Sequence, residues 1–392
     1  MNKKRTLLKA AAALVLAGSS VLAAHAEDVV KIGLIVPMSG PFASTGRQID
    51  AAVKLYMAQH GDTAGGKKVE VILKDDQNVP DTTKRLAQEL IVKDHVAVIA
   101  GFGLTPLALA AAPLATQAKV PMVVMAAATA MITEQSPYIV RTGFTLPQNT
   151  LGIARWAPKN GIKKVVTLVA DYGPGIDAQN SFKKVFESEG GTVVEQLRVP
   201  VANPDFSPFL QKVADLKPDA LFIFVPSGPG ATFMKQFAER GLTKDGIKLI
   251  GTGDVVDDDI LNGMGDVALG TVTSMHYTAA LDNPQNKAYV AAFEKANPGM
   301  RPNFHSVGAY DGMHVIYTAL NATKGDTNGD KLLAAMKGQK WDSPRGPVQL
   351  DPQTREMIQN VYISRVQRVN GQLFSVPFDK IEAVKDPSKI KS

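Results

Sequence analysis

The sequence has no cysteine in 392 residues, which excludes disulfides, thiol nucleophiles and thiolate metal sites together. A lipid anchor carried on a cysteine is excluded for the same reason. Beyond residue 26 no stretch reaches the roughly 20 apolar residues that a membrane-spanning helix needs. Lysine and arginine nowhere cluster with interleaved aromatics, so the electrostatic footprint of a nucleic-acid partner is missing. G-x-S-x-G, H-E-x-x-H and P-loop signatures are absent, and the six histidines are scattered without metal-ligand spacing. No catalytic residue, cofactor or metal is expected. With 45% hydrophobic and 20% charged positions, the chain is neither collagen-like, coiled coil nor disordered, and its length suffices for two packed cores.

Residues 1–26 read as a secretory signal peptide. Lys3, Lys4, Arg5 and Lys9 precede an apolar stretch from Ala10 to Ala17, and Ala24-His25-Ala26 offers a cleavage site before Glu27. Cleavage after Ala26 removes four of the 43 lysines and arginines and none of the 37 acids, which takes the net charge from +6 to near +2. The mature chain is expected to be soluble and exported.

From Val29 onward, short apolar β-branched runs alternate with amphipathic stretches of helical period, the pattern of parallel sheets covered by helices on both faces. Residues 29–36 predict a strand, followed by a Pro/Ser/Gly loop and a helix from about Gly46 with Ile49, Val53, Tyr56 and Met57 at helical spacing. Strands are expected again at 69–73, 96–100 and 121–124, with helices over 81–93 and 106–118. A second series starts near Pro147 and places strands at 164–170, 192–199, 220–225 and 247–250. Another strand at 271–275 precedes helices near 284–297 and 304–322 that suit the first domain, so the chain crosses between domains more than once. A plain basic tail is expected after Lys380.

Several short segments then carry a family likeness: Pro37-Met38-Ser39-Gly40-Pro41 through Gly46, Lys74-Asp75-Asp76-Gln77, Ala126-Ala127-Ala128-Thr129, Arg141-Thr142-Gly143, Asp171-Tyr172-Gly173-Pro174-Gly175, Pro204-Asp205-Phe206-Ser207, Gly265-Asp266 with Gly270, and Arg345-Gly346-Pro347. Their collinear order over nearly the whole mature chain resembles the leucine/isoleucine/valine-binding family of periplasmic solute-binding proteins for ABC importers. The resemblance implies a type I periplasmic binding fold: two doubly wound α/β lobes joined by three hinge crossovers, with ligand in the cleft between them. It implies lobe 1 at 27–145 plus 276–346 and lobe 2 at 146–275 plus 347–392, with crossings near 143–147, 275–277 and 345–349. It further implies a periplasmic location, a small carboxylate or amino-acid ligand, ABC permease subunits as partners, and a working monomer.

Loops that lead from such strands into helix N-termini suit a carboxylate, because free N–H groups and the positive dipole end converge there. Ser39 and Thr45 follow the first strand, Leu104 and Thr105 the third, and Ala127, Ala128 and Thr129 the fourth. Each hydroxyl could equally be a plain helix cap. In the similar proteins these loops face the cleft, and the Ala-Ala-Thr segment grips the carboxylate and amino group. The resemblance makes Tyr172 an aromatic wall and brings Pro226 and Ser227 to the floor. Asp254 stands one residue beyond the family's acidic partner for the ligand ammonium, at Gly253. Asp257, Asp258 and Asp259 read as the start of a helix running to Leu261. Phe42 and Phe102 offer apolar wall or core, and Tyr310 reads as packing below the cleft.

Gly173-Pro174-Gly175-Ile176-Asp177-Ala178 fits the dinucleotide pattern G-x-G-x-x-A, but Pro174 in the turn and an exported location count against a nicotinamide cofactor. The expected function is binding of a branched-chain or other hydrophobic amino acid for import. The alternatives are an aromatic or aliphatic carboxylate without an amino group, or a soluble sensory ligand-binding role.

Overall fold

The computed structural model describes residues 29–390; the segment read as a signal peptide lies outside the described residues. Two sheets organise the chain. The first has six strands: β1 (Val29–Val36), β2 (Thr63–Ala64), β3 (Lys67–Asp75), β4 (Val98–Gly101), β5 (Met122–Val124) and β6 (Ile139–Arg141), in the order β2-β3-β1-β4-β5-β6. All pair in parallel except β2 with β3. The apolar runs that predicted β1, β4 and β5 are buried along most of their length because helices cover both faces, whereas β3 buries only Val69 fully.

The second sheet starts with β7 (Lys164–Ala170), β8 (Thr192–Val199), β9 (Ala220–Phe224), β10 (Lys248–Thr252) and β11 (Val272–Met275), which pair with one another in parallel. It continues through β12 (Lys340–Ser343), β13 (Gly346–Leu350), β14 (Met357–Val369) and β15 (Gln372–Val384), which pair antiparallel. The full order is β12-β13-β14-β11-β10-β9-β7-β8, with β15 against β14. This corrects the basic tail expected after Lys380: Lys380 pairs with Tyr362 and Val384 with Gln359 within that ribbon. Helices Pro284–Ala296 and Phe304–Ala322 leave the second sheet and pack on helix Ala43–His60 of the first.

The chain passes between the two units after β6, after β11, and again through the β12–β13 hairpin. That hairpin pairs with β14, while Trp341 and Ser343 donate to the Asp311 carboxylate of helix Phe304–Ala322 at 2.8 Å each. Arg345, fully buried, ties these passages together. Its guanidinium meets Asp311 at 2.6 Å and donates to the carbonyls of Thr142 and Gly143 and to Gln359 Oε1. The sequence resemblance at Arg345-Gly346 thus falls on the residue that holds the hinge. The G-x-G-x-x-A match has a packing reason: a Cβ on Gly175 would lie 1.8 Å from the Ala170 carbonyl oxygen, so only glycine lets the helix sit this close to β7.

Candidate functional site

A small cavity lies in the cleft between the two units. Strand carboxyl ends from both sheets open onto it, as expected for doubly wound folds. From the first unit come Phe42 and Thr45 after β1, Gly103, Leu104 and Thr105 after β4, and Ala126 to Ala128 after β5. Phe144 and His305 complete that side. From the second unit come Tyr172 and Pro174 after β7, Phe224 at the end of β9 with Pro226 and Ser227 after it, and Asp254 after β10.

Two helices aim their N-termini at this space from opposite sides. Helix Thr105–Ala118 begins after Leu104 and helix Gly173–Ser188 after Tyr172, both extended residues that supply no side-chain cap. Their first-turn N–H groups therefore leave a positive end for an anion. Thr105 Oγ1 and Thr129 Oγ1 share a hydrogen bond of 2.9 Å. Buried Arg141 braces this side: it donates to the Thr129 carbonyl at 2.7 Å and the Phe144 carbonyl at 3.1 Å, and pairs with buried Glu356 at 3.0 Å.

The opposite wall is aromatic. The rings of Tyr172 and Phe224 lie 6.2 Å apart and nearly parallel at 20°. On the first-unit side, Phe144 stacks on His276 at 4.8 Å and meets Phe304 edge-on. Asp254 is 4% exposed and takes the Thr252 hydroxyl on Oδ2 at 2.7 Å. Burial pushes its carboxyl up to about 7, against the pull of the Thr252 hydrogen bond. Burial also pushes Asp257 up to about 6 and Asp258 to about 7, and drives the His305 ring down to about 3, leaving it neutral with Nδ1 unpartnered.

These raised carboxyls give a pH signature. The folded chain keeps protons that the unfolded chain releases above about pH 4, so stability falls as pH rises from there to about 7. Asp254 faces Thr252, Tyr172 and Asp257, none of which supplies a cation. Asp254→Asn is therefore expected to gain on the wild type in unfolding temperature between pH 5 and pH 8. A calorimetric difference that stays flat across that range rules this out.

The two units are in contact across the cleft. The Ala130 N–H donates to Asp177 Oδ2 at 2.8 Å, Ser44 Oγ to Asp259 Oδ2 at 2.5 Å, and Asn303 Nδ2 to both oxygens of Asp257. Residues 29–372 match the family described as "Periplasmic binding protein". The chain belongs to that family. "Leu/Ile/Val-binding protein homolog 6" of Brucella melitensis is 45% identical over 389 residues, 98% of each chain. A crystal structure of an ABC-transporter solute-binding protein from Rhodopseudomonas palustris BisB5, in complex with 3,4-dihydroxybenzoic acid, is 62% identical. It superposes with a TM-score of 0.91 over 93% of this chain and 100% of that one. A second R. palustris solute-binding protein, in complex with 4-hydroxybenzoate, is 44% identical with a TM-score of 0.91 over the same shares.

The molecule is thus a periplasmic solute-binding protein of the ABC-transporter type, with a type I periplasmic binding fold. Of the residues expected at its site, Thr45, Leu104, Thr105, Ala127, Ala128, Tyr172, Ser227 and Asp254 line the cavity. Ser39 does not: it is exposed, and its hydroxyl donates to Asp75 Oδ2 at 2.7 Å. Thr129 is not among the lining residues, and its hydroxyl bonds that of Thr105. Phe42 is wall, whereas Phe102 is core. Asp257 to Asp259 do not start a helix; the short helix begins at Leu261, and the three carboxylates instead take Asn303, the Ala279 N–H and Ser44. Sequence reading passed over Phe144, Phe224 and His305 as cavity residues. Phe224 closes a strand just before Pro226, which was the available signal.

Proposed function

We propose that this periplasmic binding protein closes on a single-ring aromatic carboxylate and delivers it to the permease of an ABC importer, acting as a monomer in the periplasm. The aromatic character of the second-unit wall, with Tyr172 and Phe224 nearly parallel, carries this reading. A flat ring gains more from such a wall than a branched aliphatic chain does. The ligand's carboxylate would sit toward Thr105 and the two uncapped helix N-termini, in a site that needs no buried cation. Contacts from both lobes exist together only when the lobes are closed, so ligand shifts the population toward closure. The 62% identical structure that holds 3,4-dihydroxybenzoic acid supports the choice.

A branched-chain amino acid is the second reading, favoured by Asp254 as an ammonium partner and by the name of the 45% identical relative. A thermal-shift panel on refolded, ligand-free mature protein separates them, since stabilisation follows ligand concentration over Kd. Benzoate, 4-hydroxybenzoate and 3,4-dihydroxybenzoate are expected to raise Tm and leucine to leave it unchanged. Stabilisation by leucine alone transfers the site to the second reading. Thr105→Val is expected to weaken an aromatic acid by about ten- to a hundredfold, because the carboxylate and Thr129 both lose a partner. Calorimetric titration with unchanged affinity would remove Thr105 from the anion site.

A further inference from the structure

We propose that Asp254, held by Thr252, reads a ring hydroxyl on the bound acid and makes this protein selective for hydroxylated benzoates over benzoate itself. The inference rests on the aromatic-carboxylate reading above. Asp254 carries the one carboxyl among the described residues that line the cavity, and it lies on the opposite lobe from Thr105. A phenolic hydroxyl is a donor, and the Asp254 carboxyl can accept from it whether charged or neutral. Thr252 donates to Oδ2 and so fixes the carboxyl plane from behind. Neighbouring groups do not compete for the role. Tyr172 and Phe224 offer ring faces, Pro226 has no N–H, and Ser227 lies against Asp257. Among the described residues no lysine or arginine lines the cavity, so Asp254 has no cation there to neutralise it.

The same arrangement penalises a ligand that lacks the hydroxyl. Benzoate closes the lobes over Asp254 without giving it a donor, and a buried carboxyl left short of partners costs affinity. His305, buried at the cavity with Nδ1 unpartnered, is placed to meet a second hydroxyl.

Isothermal titration of benzoate, 4-hydroxybenzoate and 3,4-dihydroxybenzoate against wild type, Asp254→Ala and Asp254→Asn tests the assignment. Wild type is expected to prefer the hydroxylated acids by about ten- to a hundredfold. Asp254→Ala is expected to bring 4-hydroxybenzoate and benzoate within about threefold of each other while benzoate affinity holds or improves. Asp254→Asn, which keeps the shape and an acceptor oxygen, is expected to lie between them and carries the test if the alanine variant does not fold. Two results overturn the assignment alone: equal affinities in wild type, or a hydroxyl preference that survives both substitutions. Failure of all three acids to bind wild type overturns the aromatic reading along with it.

Discussion

Arg345→Leu is expected to lower the free energy of unfolding by about 3–5 kcal/mol, the cost of stripping one partner from a buried ion pair. The substitution leaves Asp311, 1% exposed, with only Trp341 and Ser343 as donors, frees the carbonyl of Thr142, and leaves that of Gly143 with Gln359 Nε2 alone. Those carbonyls belong to the first passage between the lobes, and Gln359, which also loses its bond, belongs to β14. The loss is therefore concentrated where the lobes are joined. Arg368→Ala supplies the comparison: its pair with Asp266 is exposed on both sides, and its loss is expected to cost less than about 1 kcal/mol. Urea unfolding of the two variants decides, and similar costs for both would remove Arg345 from the hinge.

Gly173→Val is expected to leave the protein folded but to reduce ligand affinity by more than a hundredfold, by wedging the lobes apart. Gly173 opens the second-lobe helix that faces the cavity, and a Cβ there would come within 2.5 Å of Thr129 Oγ1 on the first lobe. Thr129 cannot yield easily, since its hydroxyl is bonded to Thr105 and its carbonyl to Arg141. Within its own lobe Gly173 meets no such obstacle, so each lobe keeps its packing while the closed state becomes inaccessible. A state that binds only when closed loses affinity in proportion to its lost population. Solution scattering is expected to show an extended particle even with saturating ligand. Wild-type compaction by ligand in the variant would show that Gly173 is no wedge point. Gly228, whose Cβ would lie 2.8 Å from the Pro41 carbonyl oxygen across the same cleft, is expected to behave alike.

The parallel cores were legible in the sequence because burial on both faces leaves continuous apolar runs such as residues 164–170. The β12–β15 ribbon was not, because its outer half alternates exposed and buried residues and its lysines face solvent, which reads as tail until β14 is seen beside it. Most of the site was legible from the loops after strands. What escaped depends on partners far away in the chain. Ser39 is claimed by Asp75, 36 residues on, and Asp259 by Ser44, 215 residues back, and nothing local to either signals the other. Phe144 belongs to the cavity only because Arg141 and His276 fix it there.

The hydrogen bonds from Ala130 to Asp177 and from Ser44 to Asp259 join the lobes without lining the cavity. A ligand held by contacts from both lobes is released as the lobes part, so how long it stays aboard depends on how often these bonds break together. Changes at the cavity wall are expected to alter which ligand is chosen, whereas changes at Ser44 or Asp177 disfavour the closed state and weaken every ligand by a common factor.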